Sequence, residues 1–274
     1  MWFSALLPVV LGCSPSLSTM QPARLVPEGH LSLTTSADIT ATTGGIRDVL
    51  DEIEDMPNID RASPAQLALA ADATTTALVQ APSVGYQLSA SYGLSRHFEI
   101  GIRTSVSAVR GSVRWQFLRE APGFYGALGL GVSTYLYGFP IESYTDLVDV
   151  TDFSRHEIDL PLHLGFSSRA VHVWGGPKAM LSWYNAGFSV CADERNDRCV
   201  AEALIDMDGT ALYFGGQLGF AVGYGQLWFA AELTVAHVAL DADLAMTYAR
   251  RTVRHNYAED GWAISPSLGL IAWF

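Results

Sequence analysis

Histidines and cysteines are the side chains of this sequence whose types could carry acid–base or nucleophilic chemistry. His163 and His172 lie nine residues apart, and Ser167 between them is the nearest hydroxyl. A hydrolase needs a nucleophile, a base and an orienting acid that converge on one point, and no third member accompanies this pair. We therefore expect no catalytic residues, and we expect that the protein is not an enzyme.

Two cysteines lie close together in a polar segment. Cys191 and Cys199 enclose residues 192–198, of which only Ala192 is apolar. A metal site would need further His or Cys ligands at a suitable spacing, and none lies near, so no metal ligand is predicted. Because exported proteins fold in oxidising compartments, we predict a Cys191–Cys199 disulfide that closes a surface loop.

The N-terminus predicts export. Residues 2–12 are apolar over the length of a signal peptide and are too short to cross a bilayer as a helix. They lead into Val10-Leu11-Gly12-Cys13, which resembles the bacterial lipobox, where a small residue precedes a cysteine that is diacylated. The resemblance implies a signal peptide at 1–12, lipidation of Cys13 and a periplasmic tether at 13–29. The alternative is an unmodified cysteine.

Composition excludes several classes of protein. The 274 residues are 49% hydrophobic and 16% charged, which excludes a disordered chain. A mean hydropathy of +0.20 is too low for a bundle of membrane helices. The net charge of -12 argues against nucleic acid as a partner, since a phosphate-binding surface needs clustered Lys and Arg. A β-rich protein, globular or membrane-bound, remains.

From residue 30 to the end, large apolar residues alternate with small or polar ones at the period of a β-strand. Segment 157–167, for example, sets a face of isoleucine, leucine and phenylalanine against a face that contains Glu157, Asp159 and His163. This pattern fits a soluble sandwich with an apolar core, and it fits a membrane barrel with an apolar face against lipid. The last residue, Phe274, resembles the C-terminal signal of bacterial outer-membrane β-barrel proteins.

That resemblance, the export signal and the loop lengths favour an all-β fold for residues 30–274, a transmembrane antiparallel up-and-down β-barrel of about ten strands. The predicted strands are 30–42, 83–93, 97–107, 112–119, 123–138, 155–167, 170–187, 209–223, 226–247 and 261–274. Short links alternate with mostly longer ones, as periplasmic turns alternate with extracellular loops in these barrels. An even strand number then places both termini on the periplasmic side of the bacterial outer membrane.

Charged residues on the inward faces form a predicted network in the lumen of the barrel: Asp38, Glu99, Arg103, Arg114, Glu157, Asp159, Lys178 and Glu232. Hairpin positions predict three neighbouring pairs: Asp159 with Lys178, His163 with His172, and Arg103 with Arg114. Buried charges need partners, so we expect both arginines to meet acidic residues across the lumen. The network either fills a narrow closed barrel or lines a small channel with a mild preference for cations.

Segment 43–82 is too long to be a plain turn. Apolar residues at helical spacing stand beside its acidic residues: Ile46, Val49, Leu50 and Ile53. Pro57 ends this helix, and Ser63 with Pro64 begins a second, alanine-rich one. We predict a helical extracellular insertion at 44–81, which either caps the barrel mouth or docks a protein partner at the extracellular face.

The predicted extracellular loops carry most of the acidity. Segment 43–82 has seven Asp and Glu against two Arg, 139–154 has four against none, and 188–208 has six against two. Such a rim could bind divalent cations that bridge to lipopolysaccharide phosphates, or it could simply keep the loops solvated. We predict no other cofactor, and we expect outer-membrane lipid and lipopolysaccharide as partners.

Three functions remain open at this level. We favour a non-enzymatic barrel with a structural or surface-interaction role through its acidic loops and helical cap. The alternative is a narrow solute or ion channel that is similar to a porin. A membrane-embedded hydrolase comes third, because omptin proteases also have ten strands. His237 and Asp241 are the nearest counterparts of their catalytic groups, although an ordinary pair at the barrel rim is the better interpretation.

Overall fold

In the computed structural model, the described residues are 15–43, 83–105, 107–120, 123–136, 148–194, 199–248 and 251–274. They form ten strands: β1 (Leu31–Thr43), β2 (Ser83–Gly93), β3 (Phe98–Ser105), β4 (Ala108–Glu120), β5 (Phe124–Tyr135), β6 (Val148–Ser167), β7 (Val171–Glu194), β8 (Cys199–Tyr224), β9 (Leu227–Tyr248) and β10 (Arg251–Trp273). Consecutive strands pair antiparallel in one closed sheet, which confirms the all-β, up-and-down architecture. None of these residues forms a helix long and apolar enough to cross a membrane.

The first and last strands close the sheet into a barrel. β1 pairs with β10 from Ser32 opposite Trp273 to Thr43 opposite Trp262. Two backbone hydrogen bonds between Leu31 and Phe274, with N–O distances of 3.1 and 2.8 Å, complete the seam. Each of the ten described strands therefore has two hydrogen-bonded neighbours, and the ring leaves none of them as a free edge.

The two ends of the barrel differ in their connections. One end, which we call the short-turn end, carries the tight turns at 94–97, 168–170 and 225–226, and there the Gly123 amide also donates to the Glu120 carbonyl at 3.0 Å. The start of β1 and the end of β10 also lie there. At the opposite end, the long-hairpin end, the wall is taller on one side, because β7 and β8 have 24 and 26 residues whereas β3 has 8.

Three segments that the sequence predicted as loops contain strand residues. The predicted loops were 139–154, 188–208 and 248–260. The observed strands begin or end at Val148, Glu194, Cys199 and Arg251. The period of two continues here, since Ile205 and Met207 are buried whereas Asp206 and Asp208 are exposed. Polar residues at outward positions thus mark a wall that faces water rather than the end of a strand.

The barrel is apolar on the outside and polar within over the half nearer the short-turn end. On β8, Phe214 and Leu218 point outward and are 62% and 64% exposed, whereas Gln217 points inward and is buried. The same alternation runs around the ring. Each of the ten described strands has large hydrophobic side chains that are exposed. A soluble sandwich would bury these residues in a core.

The hairpin of β6 and β7 turns one and a half residues later than the sequence predicted. The Ser168 amide donates to the Val171 carbonyl at 2.8 Å, which makes a turn of residues 168–170. Ser167 therefore pairs with His172, and Asp159 pairs with Met180. The predicted direct pairings of Asp159 with Lys178 and of His163 with His172 are wrong, because a shifted turn shifts the partner of every residue on both strands. The charges of Asp159 and Lys178 still interact, since Lys178 lies two residues from the strand partner of Asp159.

The hairpin of β3 and β4 also turns at another place. β4 begins at Ala108, so Arg103 pairs with Arg110, and Glu99 pairs with Arg114. The predicted contact of Arg103 with Arg114 is wrong. The earlier turn places a carboxylate, not a second cation, beside Arg114.

Several predicted features fall outside the described residues. Cys13 and the helices predicted at 44–81 are among them. Cys191 and Cys199 lie in β7 and β8, where the backbone register pairs them with Glu202 and Glu194, but their side chains are not described. The lipidation, the helical insertion and the disulfide stay predictions.

Candidate functional site

Residues 15–27, which we call the lumen segment, run through the interior of the barrel. The Pro15 carbonyl lies 3.5 Å from the hydroxyl of Thr40, well along β1, whereas the Val26 amide reaches Glu99 near the short-turn end. The Gly29 amide then donates to the Gly93 carbonyl at 2.9 Å, and the chain reverses into β1.

This path corrects the prediction of a periplasmic tether at 13–29. Residues 15–27 are buried or half-buried, and the barrel wall supplies hydrogen-bond partners along the segment. Pro15 and Phe274 lie at different levels of the barrel, and the periplasmic position of both termini stays a prediction. The polar residues that suggested a solvated tether instead meet a polar lumen.

Glu232 on β9 makes the densest set of contacts with the lumen segment. Its Oε1 accepts hydrogen bonds from the Ser18 hydroxyl at 3.1 Å and from the Thr19 amide at 2.6 Å. Its Oε2 accepts from the Met20 amide at 3.0 Å and from the Trp174 indole at 3.0 Å. The carboxylate is only 3% exposed, so it satisfies backbone donors that have no strand beside them.

A bend at Met20 directs these donors to one carboxylate. Met20 has a φ of 48°, a left-handed conformation that costs a residue other than glycine about 1–2 kcal/mol. Its side chain is buried in an apolar cluster with Ala23, Trp174 and Trp228. Charge-assisted hydrogen bonds to Glu232 and this packing together offset the strain.

A second layer holds the segment nearer the short-turn end. Glu99 accepts from the Val26 amide at 2.7 Å and from Arg114 Nη1 at 3.1 Å. Arg114 also donates to the Pro22 carbonyl. The acidic partner that the sequence predicted for Arg114 is therefore present, but it comes from the adjacent strand rather than from across the lumen.

Two cations hold carbonyl oxygens at the other end of the segment. Lys178 Nζ donates to the Leu17 carbonyl, and Arg103 Nη1 donates to the Ser18 carbonyl. Arg103 also donates to Gln87 at 2.8 Å, and the Gln87 amide donates to Asp38 at 2.6 Å. The expected acidic partner of Arg103 thus acts through an intervening glutamine.

Two further arginines lie in the lumen that the sequence pattern did not predict there. Arg110 forms an ion pair with Asp159, and Arg155 Nε lies 2.9 Å from Glu157 Oε1. Residue 110 stood in a predicted link, and residue 155 stood at the predicted start of a strand. Arg110 is an even number of residues from the inward Arg114, and Arg155 is an even number from the inward Glu157 and Asp159. The alternation of each strand could therefore have identified both arginines as inward.

These arginines change the charge balance of the lumen. The network of buried and half-buried charges described above has five acidic and five basic members: Asp38, Glu99, Glu157, Asp159, Glu232, Arg103, Arg110, Arg114, Arg155 and Lys178. From the sequence, five acidic residues and three basic ones were predicted to line the lumen, which indicated a mild preference for cations. A balanced network gives no such preference, and it suits a filled interior in which each charge is satisfied.

Comparisons with known proteins find no family for this chain. No protein-family model matches its sequence, and no curated protein does. Its structure is similar to that of the outer membrane protease OmpT from Escherichia coli, with 8% identity, a TM-score of 0.47, and coverage of 91% of this chain and 98% of that one. It is also similar to Neisserial surface protein A, with 9% identity, a TM-score of 0.34, and coverage of 89% and 99%.

A third similar structure is Ail, the attachment invasion locus protein of Yersinia pestis. The identity is 9%, the TM-score is 0.32, and the match covers 90% of this chain and 99% of that one. At such identities and scores none of these proteins assigns an activity to this chain.

The histidines do not form a catalytic arrangement among the described residues. His163 Nε2 lies 3.2 Å from the Thr19 hydroxyl, and both side chains are buried inside the occupied lumen. His172 instead packs against Trp228, with ring centroids 4.1 Å apart and the ring planes tilted by 45°. His237 packs edge-on against Trp262 at 5.4 Å, and Asp241 is exposed four residues further along β9.

Acidic residues cluster on the outer wall near the long-hairpin end. Asp208 and Asp243 are directly opposite each other on β8 and β9, and with Asp241 they line a cavity of about 420 Å³ beside Trp183. Within the described ranges, no three His, Cys, Asp or Glu residues come together as ligands of a metal ion.

The lumen becomes apolar towards the long-hairpin end. Leu17 of the lumen segment begins a buried cluster that continues upward through inward-facing residues of β7 to β9, including Met180, Met207, Val238 and Leu244. Barrel interiors of this class are usually polar. The lumen therefore has two zones, a charged one around the lumen segment and an apolar one beyond it.

Proposed function

We propose that this protein is a non-enzymatic β-barrel of the bacterial outer membrane whose lumen is closed by its own N-terminal chain. In this proposal its role is structural or lies in surface interaction, through the acidic outer wall at the long-hairpin end. The observation that carries the proposal is the lumen segment, which crosses the charged half of the barrel and is bonded to its wall at successive levels.

The outer surface supports a membrane location. On β10, Trp262, Ile264, Leu268 and Leu270 are all exposed and point the same way. They span nine residues, and a tilted strand crosses a bilayer with about 9–11. Barrel closure satisfies the backbone polar groups, which a lipid environment requires.

We infer the orientation of the barrel in the membrane from the difference between its two ends. Outer-membrane barrels have short periplasmic turns and longer extracellular connections, so the short-turn end would face the periplasm. The tall hairpins with Asp206, Asp208, Asp241 and Asp243 would then stand above the outer leaflet. This acidic wall favours an interaction with lipopolysaccharide through bridging divalent cations, or an interaction with a protein partner.

The occupied lumen also weighs against the channel alternative. An open pathway would require the lumen segment to leave, which would break its contacts with Glu232, Glu99 and Lys178 at once. The balanced charges of the wall would give such a channel little ion preference. A gated channel therefore needs a trigger that acts on these contacts.

Planar bilayer recording with the purified full-length chain tests the proposal. We expect no steady single-channel conductance from the wild type, and conductance from the Glu99→Ala, Glu232→Ala double variant. Glu120→Ala, which changes an exposed carboxylate at the short-turn end, is the matched control and should stay silent. Steady conductance from the wild type would overturn closure, and hydrolysis of lipid or peptide by the pure protein would overturn the non-enzymatic role.

A further inference from the structure

A basic cavity opens at the mouth of the barrel at the short-turn end. It has a volume of about 770 Å³, and its lining includes Arg24, Arg96, Arg119 and Tyr125. Arg24 comes from the lumen segment, Arg96 from the turn between β2 and β3, and Arg119 from the end of β4. Three separate parts of the chain thus contribute an arginine to the lining of one concavity, in a protein whose net charge is -12.

A β-bulge turns Arg119 into this cavity. Along β4, Gln116 pairs with Ala127, but the next partner, Gly126, lies opposite Leu118, so one residue is inserted. With regular alternation, Arg119 would share the outward face of Trp115. The inserted residue places Arg119 opposite Tyr125 instead, on the inward face. Bulges of this kind commonly re-aim a side chain at a functional position.

Aromatic rings hold Arg24 in place. Its guanidinium carbon lies 5.8 Å from the centre of the Tyr125 ring and 5.5 Å from that of Trp273. Cation–π contacts of this type orient an arginine without neutralising its charge. Its hydrogen-bond donors stay available to a ligand in the cavity.

The charge of the cavity is not balanced by the described part of the chain. Arg110, Arg114 and Arg155 each form an ion pair with a carboxylate in the lumen. No such pair within 4.0 Å joins Arg24, Arg96 or Arg119 to any described Asp or Glu, and Glu28 is the one acidic residue among those that line the cavity. Three arginines around one acidic residue make an environment that favours an anion.

We propose that this cavity binds a phosphate- or carboxylate-bearing ligand, which enters along the barrel axis through the short-turn end. Arginine donors in a fork geometry bind two oxygens of such a group at once. Because Arg24 and Arg119 lie on the inner side of the ring of strands and Arg96 lies on a turn at its mouth, the ligand approaches through the mouth and not through the lipid-facing wall. The proposal does not depend on the function proposed above, since it concerns binding at the mouth alone.

Isothermal titration of the full-length chain in a zwitterionic detergent with sodium phosphate tests the site. We expect saturable binding whose affinity falls about tenfold or more in the Arg96→Gln, Arg119→Gln double variant. The loss of each charge-assisted contact alone should weaken the affinity several-fold. Arg169→Gln, on the turn between β6 and β7, is the matched control, because it removes a cation from the same end outside the cavity.

A second arm separates a lipid headgroup from a soluble anion. If the source is a headgroup, chain in nanodiscs that contain phosphatidylglycerol should bind added phosphate at least tenfold more weakly than chain in purely zwitterionic nanodiscs. Equal binding in both supports a soluble ligand. An Arg96→Lys, Arg119→Lys variant keeps the charge and should retain part of the affinity, which distinguishes loss of the site from loss of the fold. Equal affinity in the wild type and the Gln double variant, or no saturable binding in either, would overturn the proposal.

Discussion

Replacement of Glu232 by alanine should release the lumen segment from the barrel wall. The change removes the acceptor of three donors that cannot turn elsewhere, the amides of Thr19 and Met20 and the indole of Trp174. A buried donor left without a partner costs about 1–3 kcal/mol, so the three together cost at least about 3 kcal/mol. Since about 1.4 kcal/mol corresponds to a factor of ten, the opening equilibrium of the segment should rise at least about a hundredfold.

Hydrogen–deuterium exchange of the folded protein in nanodiscs measures this opening. The amides of residues 17–26 should exchange at least about a hundredfold faster in Glu232→Ala than in the wild type, whereas the strand amides of β8 and β9 should keep their protection. Glu232→Gln keeps one acceptor oxygen and should give an intermediate rate. Glu120→Ala, exposed at the short-turn end, should leave the rates unchanged.

Two results would refute this reasoning. Equal exchange of residues 17–26 in the wild type and in Glu232→Ala would show that the carboxylate does not hold the segment. Fast exchange of these residues already in the wild type would show that the segment is not held at all.

Three further predictions follow from particular positions. A Cβ on Gly93 would clash with the Pro27 carbonyl oxygen and lie 2.5 Å from the Val26 carbonyl oxygen, so Gly93→Val should lower the melting temperature. In the control Gly111→Val, the added Cβ has no atom within 4 Å, and the melting temperature should not change. Equal melting temperatures for the two variants would contradict the close approach of the lumen segment to β2. Deletion of 44–81 should leave the protein silent in planar bilayers, because residues 15–27 close the lumen by themselves, and conductance after this deletion would instead assign closure to the predicted helices. Peptide mapping without reduction should recover Cys191 and Cys199 in one linked peptide, and two free thiols would contradict the predicted disulfide.

The strand pattern made the barrel predictable, because each lipid-facing or inward position imposes its own residue type along the chain. Ile158 and Leu160 against Glu157 and Asp159 define both faces of β6 without any information from the rest of the chain. Partners across a hairpin were harder to predict, since they depend on the turn. The turn at 168–170 differs only slightly from the predicted one, yet it moves Lys178 from Asp159 to Pro161.

The lumen segment carried no such local signal. Its apolar residues do not alternate at the period of two that marks a strand, and different parts of the wall bury them, as Leu17 lies in the cluster with Met180 and Met20 lies beside Trp174. Its hydrogen bonds join residues far apart in the chain, such as Thr19 and Glu232. A bulge has the same effect on Arg119, whose inward direction cannot be read from alternation. These features depend on the closed barrel, which the sequence pattern specifies only as a whole.

An experimental density map of the full-length protein in lipid tests the central claim most directly. The account predicts continuous density for residues 15–27 along the barrel axis, with the amides of Thr19 and Met20 on the Glu232 carboxylate and the Val26 amide on Glu99. A lumen that is open to solvent at the level of Glu232, with these residues outside the ring of strands, would contradict it.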